Sequence, residues 1–377
     1  MATVGFREWL AVGRAIAERK LLRYEEGARL TDRFEQRLAD RIGARHVLTV
    51  TSGTNALICA LAATGVGPGD EVLVPAYTWM ATAAAPVMVG AVPVLVDIDE
   101  SLTIDPKDIE RKITPYTRAI IPVHMGNVPC DMDAIMRIAD KHGLLVIEDA
   151  CQAVGVRYKD RHCGAIGQAG ALSFNRYKNI NIGEGGAVIT SDDRIFRRAR
   201  NYHDLGTWVR GHNEEPGEQL FVGTNMRATE IEGAMLGVQL SKLGPMLKRL
   251  RKRRDMFASV LGKSSRFRIS PHHDEANAVG LSVIFDRREE AIAFAKRRGV
   301  SRLQANSKHV YTNWKPILDK RTFHPALNPW TWAKREIDYD IDCCARTLDI
   351  LDRTCHIALG HRFPMPAMRL LAHSHVR

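Results

Sequence analysis

Short apolar runs alternate with amphipathic stretches through the first two thirds of the chain. Residues 46–50, 71–74, 92–97, 119–124, 144–147, 171–174 and 187–190 are runs of strand length with few polar interruptions. Continuous runs of this kind predict strands buried on both faces, as in a parallel sheet. Between and after them, residues 56–62, 106–112, 132–142 and 193–200 read as helices. Residues 7–42 also read as helical. Within them Phe34, Leu38 and Ile42 recur four apart on one face, with Thr31 or Asp32 as the candidate cap. Strands alternating with helices predict an α/β fold with a doubly wound parallel sheet. A helix over 231–243 leads to Pro245, where the chain changes character. The predicted division is a large domain, residues 1–245, and a smaller C-terminal domain, residues 246–377. The latter has a strand at 279–285 and a helix at 288–299 stopped by Gly299.

The stretch 144–190 carries the candidate chemistry. Glu148 and Asp149 close an apolar run, the place where open α/β sheets put ligands. Lys178 follows the next strand, and Gly183-Glu184-Gly185-Gly186 follows the lysine. A lysine held in a cleft beside such a loop can have its amine activated to form a Schiff base with an aldehyde. A strand-end aspartate can keep a pyridine nitrogen protonated, so that the ring acts as an electron sink. On spacing alone, Asp149 reads equally well as a helix cap and Lys178 as a solvated surface lysine. Earlier, Thr51-Ser52-Gly53-Thr54-Asn55 joins a strand to an apolar helix, and a helix N-terminus favours phosphate. That motif is common and names no ligand by itself. Gly65, Gly67 and Gly69 form no dinucleotide fingerprint, because Pro68 and the strand that follows mark a turn. An aromatic in Tyr77-Thr78-Trp79 could stack on a flat cofactor or sit in the core.

Taken in order, Glu148-Asp149-Ala150-Cys151-Gln152-Ala153, Ser173-Phe174 with Lys178 five positions after the serine, and Gly183-Glu184-Gly185-Gly186 resemble the DegT/DnrJ/EryC1/StrS family. Its members are sugar and aminocyclitol aminotransferases that use pyridoxal 5'-phosphate (PLP). The resemblance implies the fold-type I architecture, a large domain with a mostly parallel sheet flanked by helices plus a smaller C-terminal α/β domain. It implies PLP on Lys178, with Gly53 and Thr54 at its phosphate and Trp79 over its ring. Asp149 would face the ring nitrogen, Gln152 the O3′ atom, and Ser173 would complete the cofactor contacts. Gly223-Thr224-Asn225-Met226-Arg227 is similar to the family's Gly-x-Asn-x-Arg signature. There the asparagine reaches the phosphate of the other subunit, so Asn225 implies a homodimer with shared sites. Arg227 becomes a candidate for the donor's carboxylate through a bidentate contact.

The implied reaction is a ping-pong transfer from L-glutamate or L-glutamine to a ketosugar, often nucleotide-linked, or to a keto-cyclitol. It serves amino-sugar or aminocyclitol biosynthesis. Val154 stands where many relatives have histidine, and Gln168 where many have an acid; both bear on the acceptor class. Two alternatives come with the resemblance. A sugar dehydratase of the family would carry histidine in place of Lys178. A PLP-binding regulator without transferase activity could keep the lysine.

At 377 residues, 45% hydrophobic and 26% charged, the chain has the composition of a soluble globular protein with a substantial core. No run of eighteen apolar residues predicts a membrane span, and the first twenty residues lack a signal-peptide pattern. Seven scattered cysteines without a Cys-x-x-Cys pair predict free thiols, no metal site and a cytoplasmic setting. The net charge of +11 favours anionic ligands. Six of the seven residues from 248 to 254 are basic, but without a recognisable module they predict a solvated helix face, not a nucleic-acid site. His124 reads as a buried, hydrogen-bonded histidine or a neighbour of the cofactor. The polar segment 207–220 is predicted to be a mobile loop over the substrate. The aromatics Tyr311, Trp314, Phe323, Trp330 and Trp332 are expected to shape the acceptor pocket.

Overall fold

The computed structural model describes residues 3–207, 220–304, 308–360 and 363–376. The large sheet is built from β1 (His46–Val50), β2 (Glu71–Pro75), β3 (Val92–Val96), β4 (Thr117–Ile120) and β5 (Leu145–Asp149). After a small hairpin of β6 (Arg157–Tyr158) and β7 (Arg161–His162), it is completed by β8 (Ala169–Ser173) and β9 (Gly186–Thr190). The order is β1-β9-β8-β5-β4-β2-β3. From β8 to β3 every pair is parallel, and these strands are buried along nearly their whole length. Their apolar composition serves two covered faces. β9 runs antiparallel to both β8 and β1, so the sheet has an antiparallel flank. The run at 187–190 looks the same in either direction. The reversal arises because residues 174–185 form a loop without a crossover helix.

Pairing register puts the interesting strand ends on one edge. Gly186, the first residue of β9, pairs with both Val50 and Ser173, the last residues of β1 and β8. Asp149, the last residue of β5, pairs with Ala171 of β8.

The N-terminal prediction of one helical stretch is corrected. Helices span Phe6–Ala17 and Leu30–Ile42, separated by a segment in which Arg19 and Gly27 have positive φ, 57° and 78°. A left-handed residue ends a helix. Neither Thr31 nor Asp32 caps the second helix. The distant Glu230 carboxylate accepts from the Leu30 and Thr31 amides instead, at 2.6 and 3.0 Å. Glu230 opens the next long helix, so the cap also ties two elements together.

That long helix, Glu230–Leu261, starts at Thr229 in a capping box with Glu232 and continues past Pro245. Leu243, Met246 and Leu247 belong to the core around the large sheet. Phe257 and Leu261 belong to a second core with Phe267, Phe285 and Phe294, whose rings lie 5.2–5.3 Å apart. The second core packs against an antiparallel sheet of β10 (Arg268–Ile269), β11 (Ser282–Ile284), β12 (Val300–Arg302) and β13 (Thr354–Ile357), ordered β10-β11-β13-β12. The chain then crosses back: Tyr311, Trp314, Ile337, Tyr339 and Leu351 pack in the first core.

Two of the six basic residues in the run are structural. Arg253 is buried and donates to the carbonyls of Leu359, Gly360 and Phe363, and Arg254 pairs with Glu275. The aromatic expectation is also corrected. Tyr311 and Trp314 are buried core residues, and Phe323 is 83% exposed. Trp330 donates to the Tyr339 hydroxyl at 3.0 Å, which in turn bonds the Pro93 carbonyl at 2.5 Å, while Trp332 lies over Gly90. These rings cover edge strand β3. Most of segment 207–220 lies outside the described residues. No helix among the described residues is long and apolar enough to cross a membrane.

Candidate active site

Asp149 is the centre from which the site can be built. It is 4% exposed and has no ion-pair partner among the described residues. Its Oδ2 accepts from the Thr82 hydroxyl at 2.8 Å and its Oδ1 from the Cys151 amide at 3.1 Å. Thr82 spends its proton on Asp149, so Thr78, 2.9 Å away, must be the donor between the two threonines. A buried carboxylate without a cation is costly, and two accepted bonds leave lone pairs over. A protonated ring nitrogen is the partner this arrangement lacks.

The helix Gly53–Thr64 begins directly after β1. Ser52 caps it, accepting the Asn55 amide at 3.0 Å through its hydroxyl and the Ala56 amide at 2.9 Å through its carbonyl. The Gly53 and Thr54 amides donate to no acceptor among the described residues. Free amides at a helix start are an anion site. Gly53 is also sterically required: a Cβ there would come within 2.8 Å of both Cys151 Sγ and Ser173 Cβ. Gly53, Cys151 and Ser173 therefore meet. Ser173 is buried, and its hydroxyl oxygen accepts from the Asn175 amide at 3.3 Å, which leaves its proton to donate.

Lys178 lies on the loop after β8. Among the described residues its ammonium has no hydrogen-bond or ion-pair partner. It acts electrostatically on the Cys151 thiol: burial pushes that thiol well up, Asp149 adds to the rise, and Lys178 opposes it. Asp149 and Lys178 thus both lie around Cys151. The residues present fit a pyridoxal phosphate: unsatisfied amides for phosphate, an unpaired buried carboxylate for the ring, and a free amine for the aldehyde.

Trp79 is 43% exposed, and its ring centroid lies 5.6 Å from that of His309. Gln152 accepts the Gly126 amide at 3.3 Å and turns its amide nitrogen to Met125 Sδ, 3.2 Å away. Among the described residues, neither Asn225 nor Arg227 hydrogen-bonds or ion-pairs with Asp149, Lys178, Gly53 or Ser173. Asn225 is exposed, and Arg227 pairs with Asp204 while bridging to Val50 at the end of β1.

Three further features, His309, the Thr78–Thr82 pair and Glu148, are given no role by the sequence. His309 comes from a distant part of the chain and is carried in by backbone bonds from Thr78 to its carbonyl and from Tyr311 to Ala76. Burial and the Lys178 and Lys308 ammonium groups hold its pKa down at about 4, so it is neutral near pH 7. The Thr78–Thr82 relay is spaced i, i+4, which could have suggested a shared face. Glu148 is fully buried and accepts from the Gly164, Ile166 and Gly167 amides at 2.5–2.8 Å. It also takes His124 Nε2 at 2.9 Å, while His124 Nδ1 accepts from the Cys130 amide at 3.1 Å. His124 is therefore a buried, satisfied residue behind the site. Of the two departures, Gln168 accepts the Val146 amide at 2.7 Å within the sheet, and Val154 is buried.

A family model described as the DegT/DnrJ/EryC1/StrS aminotransferase family matches residues 15–316. The chain belongs to this family. It is 44% identical over 204 residues to a Streptoalloteichus tenebrarius protein named for an L-glutamine:3-amino-2,3-dideoxy-scyllo-inosose aminotransferase activity; this covers 54% of the chain and 49% of the relative. It is 41% identical over 214 residues to GDP-perosamine synthase of Caulobacter vibrioides, covering 56% of each. The matched stretch spans about half the length of these DegT-family relatives. The crystal structure of 3-amino-5-hydroxybenzoic acid synthase superposes with a TM-score of 0.80 at 26% identity, over 99% of this chain and 97% of that one. The fold is that of the PLP fold-type I aminotransferases.

Proposed function

We propose that the protein is a PLP-dependent aminotransferase that moves an amino group from L-glutamate or L-glutamine to a keto-cyclitol or a nucleotide-linked ketosugar. The observation that carries this reading is the buried Asp149 carboxylate, without a cation partner among the described residues, in the same cluster as the Lys178 amine, which has no partner among them either. Bound there, PLP supplies an aldehyde for the lysine and an electron sink for the donor's α-carbon. The protein's own residues do the rest. Gly53 and Thr54 amides and the Ser173 hydroxyl hold the phosphate. The Thr78–Thr82 relay keeps Asp149 aimed at the place of the ring nitrogen. Trp79 covers one face of the ring, and Gln152 supplies an amide. Lys178 Nζ takes the proton from the donor's α-carbon and returns it. Neutral His309, next to Trp79, can accept or give a hydrogen bond to an acceptor hydroxyl. Arg227 is the candidate for the donor's carboxylate, provided it exchanges Asp204 for it.

The names of the relatives cover both a cyclitol and a nucleotide-linked sugar, which supports an acceptor of that breadth. Lys178 speaks against the dehydratase alternative. The reading includes a homodimer sharing its sites. In its support, the helix Phe6–Ala17 exposes Phe6, Trp9, Leu10 and Ile16 on one side, and Asn225 is exposed, with its Oδ1 accepting the Arg227 amide at 3.2 Å. A cytoplasmic setting goes with seven unpaired thiols.

The test is spectroscopic. The protein incubated with PLP should show the visible band of a lysine-bound cofactor, and excess L-glutamate or L-glutamine should convert it to the aminated form. Lys178→Ala should lose the band while keeping the native circular dichroism spectrum. A band that persists with every amino donor supports the regulator instead. A screen of keto-cyclitols against nucleotide-linked ketosugars then names the acceptor.

A further inference from the structure

The loop that carries Lys178 is closed mostly on itself. The Lys178 amide donates to the Asn175 carbonyl at 2.9 Å, Arg176 to Gly183 at 3.0 Å, and Ile182 to Phe174 at 3.0 Å. Asn181 accepts the Gly183 amide at 3.0 Å, and Asn175 donates to Glu184 at 2.6 Å. Bonds of this kind fix the loop's shape. They do not fix its position against the residues that face the cofactor.

The Asn181 amide ties the loop to Gln239 Oε1 of the long helix at 3.3 Å, and Asn179 supplies its position on the cofactor side. It is the residue next to Lys178 and is 7% exposed. Its Nδ2 donates to Asn127 Oδ1 at 2.6 Å and to the Val154 carbonyl at 3.0 Å. Both protons of the amide are used, on two segments outside the loop. Asn127 belongs to the turn Met125–Asn127, where Gly126 and Asn127 have φ of 59° and 67°. That same turn holds Gln152, through the Gly126 amide and Met125 Sδ. Val154 lies two residues after Gln152. A single side-chain amide therefore links the lysine loop to the turn and to the strand-end segment that together hold Gln152.

We propose that Asn179 is a positioning residue that sets Lys178 against the Gln152 side of the cofactor site. This rests on the reading of Lys178 as the PLP lysine. Its partners accept and never donate in these bonds, so only a side chain with two donors in a short, planar group serves here. Aspartate has the same shape and no donors, and it would set a buried carboxylate against two oxygens. Alanine would leave Asn127 Oδ1 and the Val154 carbonyl without a partner. With the tether gone, the loop keeps its own bonds, but the amine is no longer held where it meets the aldehyde.

The experiment uses PLP as the probe, without substrate. Full-length wild type and Asn179→Ala are titrated with PLP, and the lysine-bound band, its pH midpoint and the dissociation constant are read. Borohydride reduction followed by peptide mass spectrometry counts the fraction attached at Lys178. Asn179→Ala should lower the trapped fraction at saturating PLP and weaken binding by roughly tenfold or more, the scale of two lost hydrogen bonds. Its band should also titrate at a shifted pH, which a general loss of stability would not cause. Asn127→Gly removes one acceptor and keeps a backbone that accepts positive φ. It should shift the same readouts in the same direction, and it replaces Asn179→Ala should that variant not fold. The double variant should be no worse than Asn179→Ala, because both touch one bond. If both variants bind and trap PLP as the wild type does, with an unmoved pH midpoint, the positioning role is overturned. If the wild type itself forms no adduct at Lys178, the reading of the site fails first, and the two failures are distinct.

Discussion

At the scale of single residues, the site turns on how the buried Asp149 carboxyl is aimed, with no cation beside it among the described residues. The Thr82 hydroxyl donates to it at 2.8 Å. Thr82→Val keeps the shape and removes the donor, at a cost of about 2 kcal/mol for a hydrogen bond to a charged group. PLP affinity should fall roughly tenfold or more, measured by equilibrium dialysis, with little change in thermal unfolding of the apoprotein. Unchanged affinity would remove Thr82 from the site. Much of this scale was legible in the chain. Asp149, Lys178, Gly53 and Ser173 stand in local patterns, strand ends, a small-residue turn and a glycine-rich loop, but it is the family resemblance that gives those patterns their proposed roles, since spacing alone left bland readings open. Thr82 and Asn179 were not legible, because their meaning lies in partners 67 and 52 or 25 positions away. His309 is the extreme case, since it reaches the site only through backbone pairing of residues 309–311 with 76–78.

At the scale of elements, Glu148 organises a whole turn. Three amides and the His124 imidazole converge on one buried carboxylate. Replacing it with alanine leaves four buried donors unanswered, which should cost about 4 kcal/mol. The urea midpoint should drop, and hydrogen exchange should speed up first at Gly164, Ile166 and Gly167. Uniform exchange across the sheet would mean that the turn is held by something else. Some elements followed from periodicity residue for residue, as at Pro106–Lys112 and Met132–His142, while others shifted, as the strand expected at 119–124 lies at Thr117–Ile120 and the helix expected at 288–299 ends at Ala295. Direction and breakage did not. Nothing within residues 186–190 says that β9 runs antiparallel, and the break after Ala17 depends on left-handed Arg19, a residue type that gives no warning. The exposed face of the helix Phe6–Ala17 belongs to this scale too. Trp9→Glu should yield monomers in analytical ultracentrifugation and lower PLP occupancy with them. A dimer unaffected by that charge would place the interface elsewhere.

For the molecule as a whole, buried histidines set a pH limit. Burial, with Arg157 adding to it, lowers the pKa of His162 to about 4. His203 is lowered to about 3 by burial and by Arg23, Arg200 and Arg227, with only the Arg200 carbonyl favouring its charge. Tyr24 also donates to its Nε2 at 2.9 Å, a bond lost on protonation. These groups are neutral when folded and protonate near 6.5 when unfolded, so the unfolded state binds more protons between those values. Stability is therefore fully present above about pH 6.5 and declines as pH falls toward 4. Urea unfolding followed at pH 7.5, 6, 5 and 4.5 should show a falling midpoint, and His203→Gln should flatten the fall. Composition suggested a soluble protein with anionic ligands, but it held no trace of this limit, since a histidine's burial is a tertiary fact.

The return of the chain from the second core to the first has a consequence for biosynthesis. Edge strand β3 is sealed by Tyr339 on Pro93, and the start of β2 by Arg335 on Glu71. Those seals leave the ribosome more than two hundred residues after the strands they protect. Throughout that interval the nascent sheet presents an open, apolar border to its neighbours, which is where such chains aggregate. Overproduction without chaperones should therefore fill inclusion bodies, and slower translation at low temperature, which lowers the standing number of half-made chains, should return the protein to the soluble fraction.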